Sequence, residues 1–296
     1  NTGKKEMSDV ANYCAPSELA DAVKAMADGD VTVLCGGTDL SPQTEAGQKS
    51  YAGTLMNIRR IDGLAGISLD GDTVRIGALT TITDVLSSDL LRNIAPVLIE
   101  AADSFASDQV RNAASVGGNI CNASPAGDMI IPLLVLNASV ELASWKDDDA
   151  HTREVPLNEF FIAPGKTVRQ ENELLTAVTF VRPAENFVAR FRKPGPRPAL
   201  EISTISIGIG GVLANGALGD VRVALGAVAP TPIRACHAED ALEGRPLEAA
   251  TIAAAVKSAA DDAVPIDDVR ASAWYRAHLI RVLTKELLSD LHENGN

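Results

Sequence analysis

The chain has 296 residues, of which 46% are hydrophobic and 22% charged, values typical of a globular protein rather than a disordered or fibrous one. Its formal net charge of −13 argues against nucleic acid or an anionic lipid surface as a partner. The longest apolar stretches, residues 129–136 and 205–213, are too short to span a bilayer, and no secretory signal is expected at the start. The four cysteines show no C-x-x-C spacing, so no metal site is expected, and reduced thiols favour the cytoplasm.

The first half of the sequence alternates between helical and strand-like patterns, bounded by Gly, Pro, Ser and Asp. A polar stretch rich in Gly, Ser and Asn is too long for an ordinary connection, which favours a functional loop. In chain order, we predict a helix capped by Ser17, strands at 31–35 and 54–58, a hairpin of strands 67–69 and 73–76 around Asp70-Gly71, helices at 81–87 and 89–105, the polar loop 108–128, a helix at 129–137 and a strand at 139–143.

The character of the sequence changes near residues 180–186, where we place a domain boundary. The next segment, 190–199, is basic and rich in proline, which excludes regular helix and central strand because proline lacks an N–H donor. The alternation that follows favours an α+β domain, an antiparallel sheet with helices on one face. Its predicted elements are strands at 202–213 and 221–228, joined at Asn215-Gly216, and helices near 247–260 and 272–288.

A first candidate site follows the strand at 31–35, which runs into Gly36-Gly37 and leaves through Thr38-Asp39. Glycines let backbone N–H groups approach a phosphate closely, and they adopt the positive φ angles of an anion-binding nest. The Thr38 hydroxyl is a further donor. The alternative is an ordinary glycine pair at the end of a strand.

A second glycine pair, Gly117-Gly118, lies among short polar side chains and is followed by Asp128. Two such loops about eighty residues apart suggest one diphosphate held from two sides. The Asp128 carboxylate suits hydrogen bonds from sugar-like hydroxyls. We also expect Asp128 to cap the helix that follows it.

Other nucleotide-binding and hydrolytic patterns are absent from the sequence. Gly208 and Gly210 begin a Rossmann fingerprint, but Leu213 stands where its third glycine belongs, so these glycines are expected to let strands or a partner pack closely instead. There is no P-loop. The isolated histidines match no Ser or Cys nucleophile pattern, which argues against a hydrolytic triad.

Taken together, the glycine loops resemble the FAD-binding domain of molybdenum hydroxylase flavin subunits, in order and spacing. The resemblance extends from about Tyr13 to Leu288, and the segment 229–239 resembles the separate flavin subunit of bacterial xanthine dehydrogenases. The motifs are Gly36-Gly37-Thr38-Asp39, Gln109-Val110-Arg111-Asn112, Ser115-Val116-Gly117-Gly118-Asn119, Ala123-Ser124-Pro125 with Asp128, Ala229-Pro230-Thr231-Pro232-Ile233-Arg234 and His278-Leu279-Ile280.

The resemblance implies an individual role for each site residue. Phe105 would lie against the isoalloxazine, Leu175 would be an apolar flavin contact, and Lys193 would place a cation at the N1–C2=O edge. Cys121 is assigned to packing near the cofactor, and Asp128 would bind near the ribityl or ribose hydroxyls. No side chain is expected to be catalytic, because the hydride would leave from the flavin itself. The diphosphate would lie between one loop formed by Val33, Leu34, Cys35, Gly36, Gly37, Thr38, Asp39 and Leu40, and another formed by Ser115, Val116, Gly117, Gly118 and Asn119.

The resemblance also implies a fold and a set of partners. Residues 1–182 would form a two-part FAD-binding domain of the vanillyl-alcohol-oxidase type, split near 55–60, and residues 183–296 a smaller domain of the CO dehydrogenase flavoprotein type. The FAD would be non-covalent, with the molybdenum cofactor on a large subunit and [2Fe-2S] clusters on a small one. NAD would accept the electrons, and the assembly would be a dimer of heterotrimers.

Two alternatives remain open on the sequence. In one, the chain serves the same flavin role in a carbon monoxide, nicotine or nicotinate dehydrogenase with another acceptor, since the flavin-binding residues do not distinguish these enzymes. In the other, it is a scaffold or nucleotide-binding module that has lost its flavin, although the glycine loops it retains argue against this.

Overall fold

The computed structural model describes residues 10–195 and 201–294. The first elements are β1 (Asn12–Cys14), α1 (Leu19–Ala27), β2 (Val31–Leu34), α2 (Leu40–Glu45) and β3 (Thr54–Asn57). The strands form a parallel sheet in the order β1-β3-β2, and α1 buries Ala22, Val23 and Met26. The prediction that Ser17 caps this helix is wrong, because Glu18 precedes the first turn and its side chain makes no cap hydrogen bond.

A five-stranded antiparallel sheet follows, in the order β4-β5-β10-β6-β7, with helices between its strands. The elements are β4 (Ile67–Asp70), β5 (Thr73–Gly77), α3 (Ile82–Ser87), α4 (Asp89–Ile94), α5 (Pro96–Asp103), α6 (Asp108–Arg111), α7 (Val116–Asn122), α8 (Ile130–Val135), β6 (Ser139–Lys146), β7 (Asp149–Pro156), β8 (Phe161–Ala163), β9 (Lys166–Thr167) and β10 (Glu173–Val181). The predicted hairpin at Asp70-Gly71 is confirmed, with Gly71 at φ +56°.

Two predictions in this region are corrected by the structure. The single helix expected at 89–105 is two helices, because Pro96 lacks an N–H and forces Ala95 out of the helical region, to φ −147° and ψ 58°. The segment 108–128 contains α6 and α7 rather than one continuous loop. Both helices are too short for a periodic pattern to reveal them, but each begins at a serine, Ser107 or Ser115, whose hydroxyl accepts an N–H three residues later.

The remainder forms a second antiparallel sheet, in the order β11-β12-β13-β14, with β15 on β13 and its own helices α9, α10 and α11 on one face. The elements are β11 (Phe187–Arg192), β12 (Ser206–Ala214), β13 (Ala217–Gly226), β14 (Ile233–Arg234), α9 (Cys236–Leu242), β15 (Arg245–Pro246), α10 (Ala249–Asp261) and α11 (Ala273–Asn294). The α+β prediction is confirmed. The proline-rich segment begins as the end of an edge strand, β11, and its residues 196–199 lie outside the described residues.

Gly208 and Gly210 of β12 allow close packing, but the element that packs there is α8 of the first half rather than a strand or a partner chain. A Cβ at these positions would come within 2.9 Å and 2.7 Å of the Val135 methyl groups at the end of α8. Arg222 also donates a hydrogen bond to the carbonyl of Val135, at 3.1 Å. We propose the domain boundary at 182–183, since β10 and β11 lie in different sheets, and the split near 55–60, since β3 and β4 do. None of the described helices is long and apolar enough to cross a membrane.

Candidate cofactor site

The first glycine pair forms the turn between β2 and α2. Gly37 has φ +72°, which favours glycine, and a Cβ at Gly36 would overlap the carbonyl oxygen of Ala113. The loop therefore lies directly against the segment that precedes α7. Within the described residues, the backbone amides of Gly36, Gly37 and Thr38 have no protein hydrogen-bond acceptor. Three adjacent amides without acceptors are the donor set that a phosphate group needs.

The second glycine pair lies in the first turn of α7, so its backbone is used differently. The amides of Val116 and Gly117 donate to the carbonyls of Thr80 and Ala78, at 3.0 and 2.9 Å, and the Gly118 amide donates to the Ser115 hydroxyl at 3.2 Å. These glycines are required for close packing. A Cβ at Gly118 would lie 2.9 Å from Ser115 Oγ and 3.0 Å from Cys35 Sγ, which belongs to the first loop.

The two loops meet across one cavity of about 340 Å³. They are also joined directly, since the side-chain amide of Asn122 donates to Asp39 at 3.2 Å and its oxygen accepts from Gln43 at 3.0 Å. Most of the predicted site residues line this cavity, and Leu34, Val116, Asp128 and Lys193 do not. Those that line it are Val33, Cys35, Gly36, Gly37, Thr38, Asp39, Leu40, Phe105, Ser115, Gly117, Gly118, Asn119, Cys121 and Leu175.

The structure adds two cations that the sequence reading missed, Lys49 and Arg169, both at this cavity. Lys49 opposes the effect of burial on Asp39, whose pKa is nevertheless raised. Arg169 lies in the connection before β10 and donates to the carbonyl of Glu173 at 2.6 Å. Only the fold brings these residues to the glycine loops, so no local motif marks them. In a chain of net charge −13, two cations beside free amides favour an anionic group.

Cys121 lies at the end of α7 and lines the cavity. Burial raises the pKa of its thiol to about 11, which favours the protonated thiol near neutral pH. This agrees with the assignment of Cys121 to packing.

Asp128 and Lys193 form a buried ion pair beside the cavity rather than in its lining. Lys193 Nζ lies 2.5 Å from Asp128 Oδ2 and donates to the carbonyl of Ser104 at 3.2 Å, next to Phe105. The other carboxylate oxygen, Oδ1, is buried without a hydrogen-bond partner in the described part of the chain. The prediction that Asp128 caps α8 is wrong, because Met129 holds the cap position.

The residues of the cavity fit an FAD group. The first loop offers free amides at a place where a side chain on Gly36 would collide with the Ala113 carbonyl. The apolar side chains of Phe105 and Leu175 also line the cavity. The orphaned Asp128 oxygen lies outside the lining of this cavity, so the fit rests on the free amides and the apolar wall. Donors for a phosphate and an apolar surface for a ring are the features that suit a flavin dinucleotide.

Comparison with known proteins agrees with this chemistry. The family model described as the FAD binding domain in molybdopterin dehydrogenase matches residues 6–182, and that described as the CO dehydrogenase flavoprotein C-terminal domain matches residues 190–291. The xanthine dehydrogenase FAD-binding subunit of Escherichia coli is 36% identical over 96% of this chain and 97% of its own length. The carbon monoxide dehydrogenase medium chain of Hydrogenophaga pseudoflava is 28% identical over 94% of this chain and 95% of its own.

The fold is shared with solved structures of such enzymes. A chain of the Hydrogenophaga pseudoflava carbon monoxide dehydrogenase that lacks the Mo-pyranopterin moiety superposes with a TM-score of 0.90 at 29% identity, covering 95% of this chain and 96% of that one. The expected fold class is therefore confirmed. From the family matches and the extent of the similarity, this chain belongs to the FAD-binding subunits of the molybdenum hydroxylase family.

Proposed function

We propose that this chain is the FAD-carrying subunit of a xanthine or purine dehydrogenase, which receives electrons from [2Fe-2S] clusters of a small subunit and reduces NAD. A large subunit would hold the molybdenum cofactor and oxidise the substrate. The assembly is proposed to be a cytoplasmic dimer of heterotrimers. The identity of 36% with a xanthine dehydrogenase subunit, against 28% with a carbon monoxide dehydrogenase chain, supports the purine assignment over the carbon monoxide one.

One observation carries the proposal: the row of three free amides at Gly36, Gly37 and Thr38 beside Lys49 and Arg169. This row would bind the diphosphate. The second loop would contact the diphosphate from the opposite side through side chains, because the backbone amides of Val116, Gly117 and Gly118 already have hydrogen-bond acceptors. Ser115 and Asn119 would supply the donors there, and Asp39 would stay linked to α7 through Asn122.

The remaining side chains would orient the ring and adjust its electrostatics. Bound FAD supplies electron transfer in one- or two-electron steps and transfers a hydride. Phe105 and Leu175 would pack against the ring and exclude water from it. Asp128 Oδ1 would accept a hydrogen bond from a ribityl or ribose hydroxyl, while Oδ2 holds the Lys193 ammonium. Lys193 would favour negative charge at the N1–C2=O edge. Cys121, half-buried and with a thiol pKa raised by burial, would leave the flavin non-covalent.

The experiment is to purify the native complex with this chain and test purines, N-heterocycles, aldehydes and carbon monoxide as reductants, with NAD and quinones as acceptors. We expect a complex with an iron–sulfur chain and a molybdenum chain, reduced by a purine and oxidised by NAD. Reduction by carbon monoxide or nicotine, with no response to purines, would reassign the substrate and leave the flavin role intact. A stable and fully active monomer would contradict the whole proposal.

A further inference from the structure

A second cavity, of about 320 Å³, lies away from the cofactor site. The first half of the chain lines it with the turn after α7, at Pro125 and Ala126, and with Pro164. The second half lines it with the segment after β13, which includes Ala229 and Pro230 of the Ala-Pro-Thr-Pro motif. The flavin role uses none of these residues.

Two buried polar atoms of this cavity lack partners among the described residues. Arg276, on α11, is 4% exposed, and its Nε has no acceptor although its other nitrogens bond Asp268 and the carbonyl of Ile266. Ser203 is 1% exposed, and its Oγ has neither donor nor acceptor. A buried donor without a partner is costly, so a bound group that accepts from both atoms would be favoured.

The charges at the cavity favour an anion. Arg276 makes two hydrogen bonds to Asp268, at 2.8 and 2.7 Å, and Arg270 lies 3.6 Å from the same carboxylate. Two guanidinium groups around one carboxylate leave one positive charge in excess. The Arg270 side chain is 42% exposed, so it remains accessible from outside.

The rim of the cavity is apolar and exposed. Ile202 is 55% exposed, Val264 68% and Ile266 66%, and all three line the cavity. A small carboxylate would satisfy Arg276 and Ser203 but leave these side chains in water. A chain segment that enters the cavity and lies across the rim would cover both, and exposed apolar surface beside a polar site is typical of a protein interface.

We infer that this cavity is a docking site for a segment of a partner subunit that inserts a carboxylate between aliphatic side chains. The carboxylate would accept from Arg276 Nε and Ser203 Oγ, and the aliphatic groups would cover Val264 and Ile266. Elsewhere, a chain of net charge −13 repels an acidic segment, so the local positive charge fixes the place of docking. The inference rests on the proposed function for the existence of partner subunits.

The first test places a photocrosslinking amino acid at position 264 of this chain within the native complex. A matched control places it at Val181, which is 69% exposed and does not line the cavity. We expect position 264 to crosslink to a partner subunit, at a peptide that contains Asp or Glu next to aliphatic residues, and position 181 to give no such product. A crosslink confined to this chain or to a small molecule, or none in an intact complex, would overturn the inference.

The second test measures association with the partners for Val264→Glu and Arg270→Glu. Both side chains are exposed, so folding and FAD content should stay unchanged. An added negative charge at this rim should weaken association about tenfold or more, while Val181→Glu and Arg270→Lys stay close to wild type. Normal association of both glutamate variants would overturn the docking site and leave the proposed function standing. If no wild-type complex forms at all, both proposals fail.

Discussion

Lys193 Nζ lies 2.5 Å from Asp128 Oδ2, in a buried ion pair that joins the residue after β11 to the segment between α7 and α8. Both side chains are almost fully buried, and the Ser104 carbonyl accepts a second hydrogen bond from the same ammonium. The ammonium is thus held in place by two acceptors that lie beside Phe105. A cation fixed in this way can influence a ring bound along Phe105.

Lys193→Met tests the electrostatic role of that cation. The substitution keeps the apolar stem and removes the charge, so the two-electron potential of the bound flavin should fall. A charge-assisted hydrogen bond of roughly 1.5–3 kcal/mol corresponds to about 30–65 mV for a two-electron couple, and partial neutralisation by Asp128 makes this an upper range. A redox titration measures the shift, with the exposed Lys166→Met as control. An unchanged potential with FAD fully bound would remove Lys193 from the flavin site.

Asp128→Asn tests the pH dependence of the buried pair. Burial raises the pKa of Asp128 to about 6, and the attraction of Lys193 lowers it only in part. Because the folded pKa lies above the ordinary value of 3.8, the folded state binds the proton more tightly. The stability that Asp128 contributes through this proton is therefore fully present below about pH 4, and it is lost as the pH rises through about 6.

The measurement for this pair is the melting temperature of wild type and Asp128→Asn between pH 4 and 7.5. We expect the melting temperature of the wild type to fall relative to that of the variant between about pH 4 and 6. Above about pH 6, the difference between the two melting temperatures should stay constant. A difference that is flat throughout the window would show that Asp128 titrates normally in the folded chain.

Gly118→Val tests the contact between the two glycine loops. A Cβ at Gly118 would already lie 3.0 Å from Cys35 Sγ, so a branched side chain should push the loops apart and abolish FAD binding. Much of the fold should remain, because the displaced atoms belong to side chains. The flavin-to-protein ratio and the far-ultraviolet circular dichroism measure the two effects. Gly219→Ala is the control, since a Cβ there meets only Glu243 Oε1 at 3.5 Å. A variant with a full flavin complement would refute the role of this contact.

Acid precipitation tests how the flavin is held. Cys121 belongs to α7 and lines the cavity, and the raised pKa of its thiol makes it a poor nucleophile near neutral pH. We therefore expect all flavin in the supernatant, with the mass of FAD rather than FMN. Flavin that stays with the precipitated chain would contradict non-covalent binding.

Most of the predicted site residues line one cavity because their glycine pairs are visible in the sequence itself. Gly37 adopts a positive φ angle, which is a local requirement, whereas Gly36 is required by the distant Ala113 carbonyl and Gly118 by Cys35. The two loops meet at one cavity. The strand pattern around Asp70-Gly71 was equally local, since a two-residue hairpin fixes its own register.

The rest of the site depends on long-range packing. Arg169 reaches the cavity because it precedes β10, the middle strand of the sheet β4-β5-β10-β6-β7, and no strand is predicted there from the sequence. The Asp128 cap prediction failed because Lys193, distant in sequence, offers its carboxylate a stronger partner than helix amides do. The single helix expected at 89–105 is broken by a local signal, Pro96, which disfavours the helical conformation at the preceding residue, Ala95.

The central claim is that the complex passes electrons to NAD only through the flavin held by this chain. The most direct test measures NADH formation by a complex assembled with the Gly118→Val chain. The purine that reduces the wild-type complex serves as reductant, and the absorbance of the iron–sulfur clusters is followed in the same sample. We predict that the clusters are reduced as in wild type while no NADH forms. NADH formation at the wild-type rate by a complex free of flavin would contradict the claim.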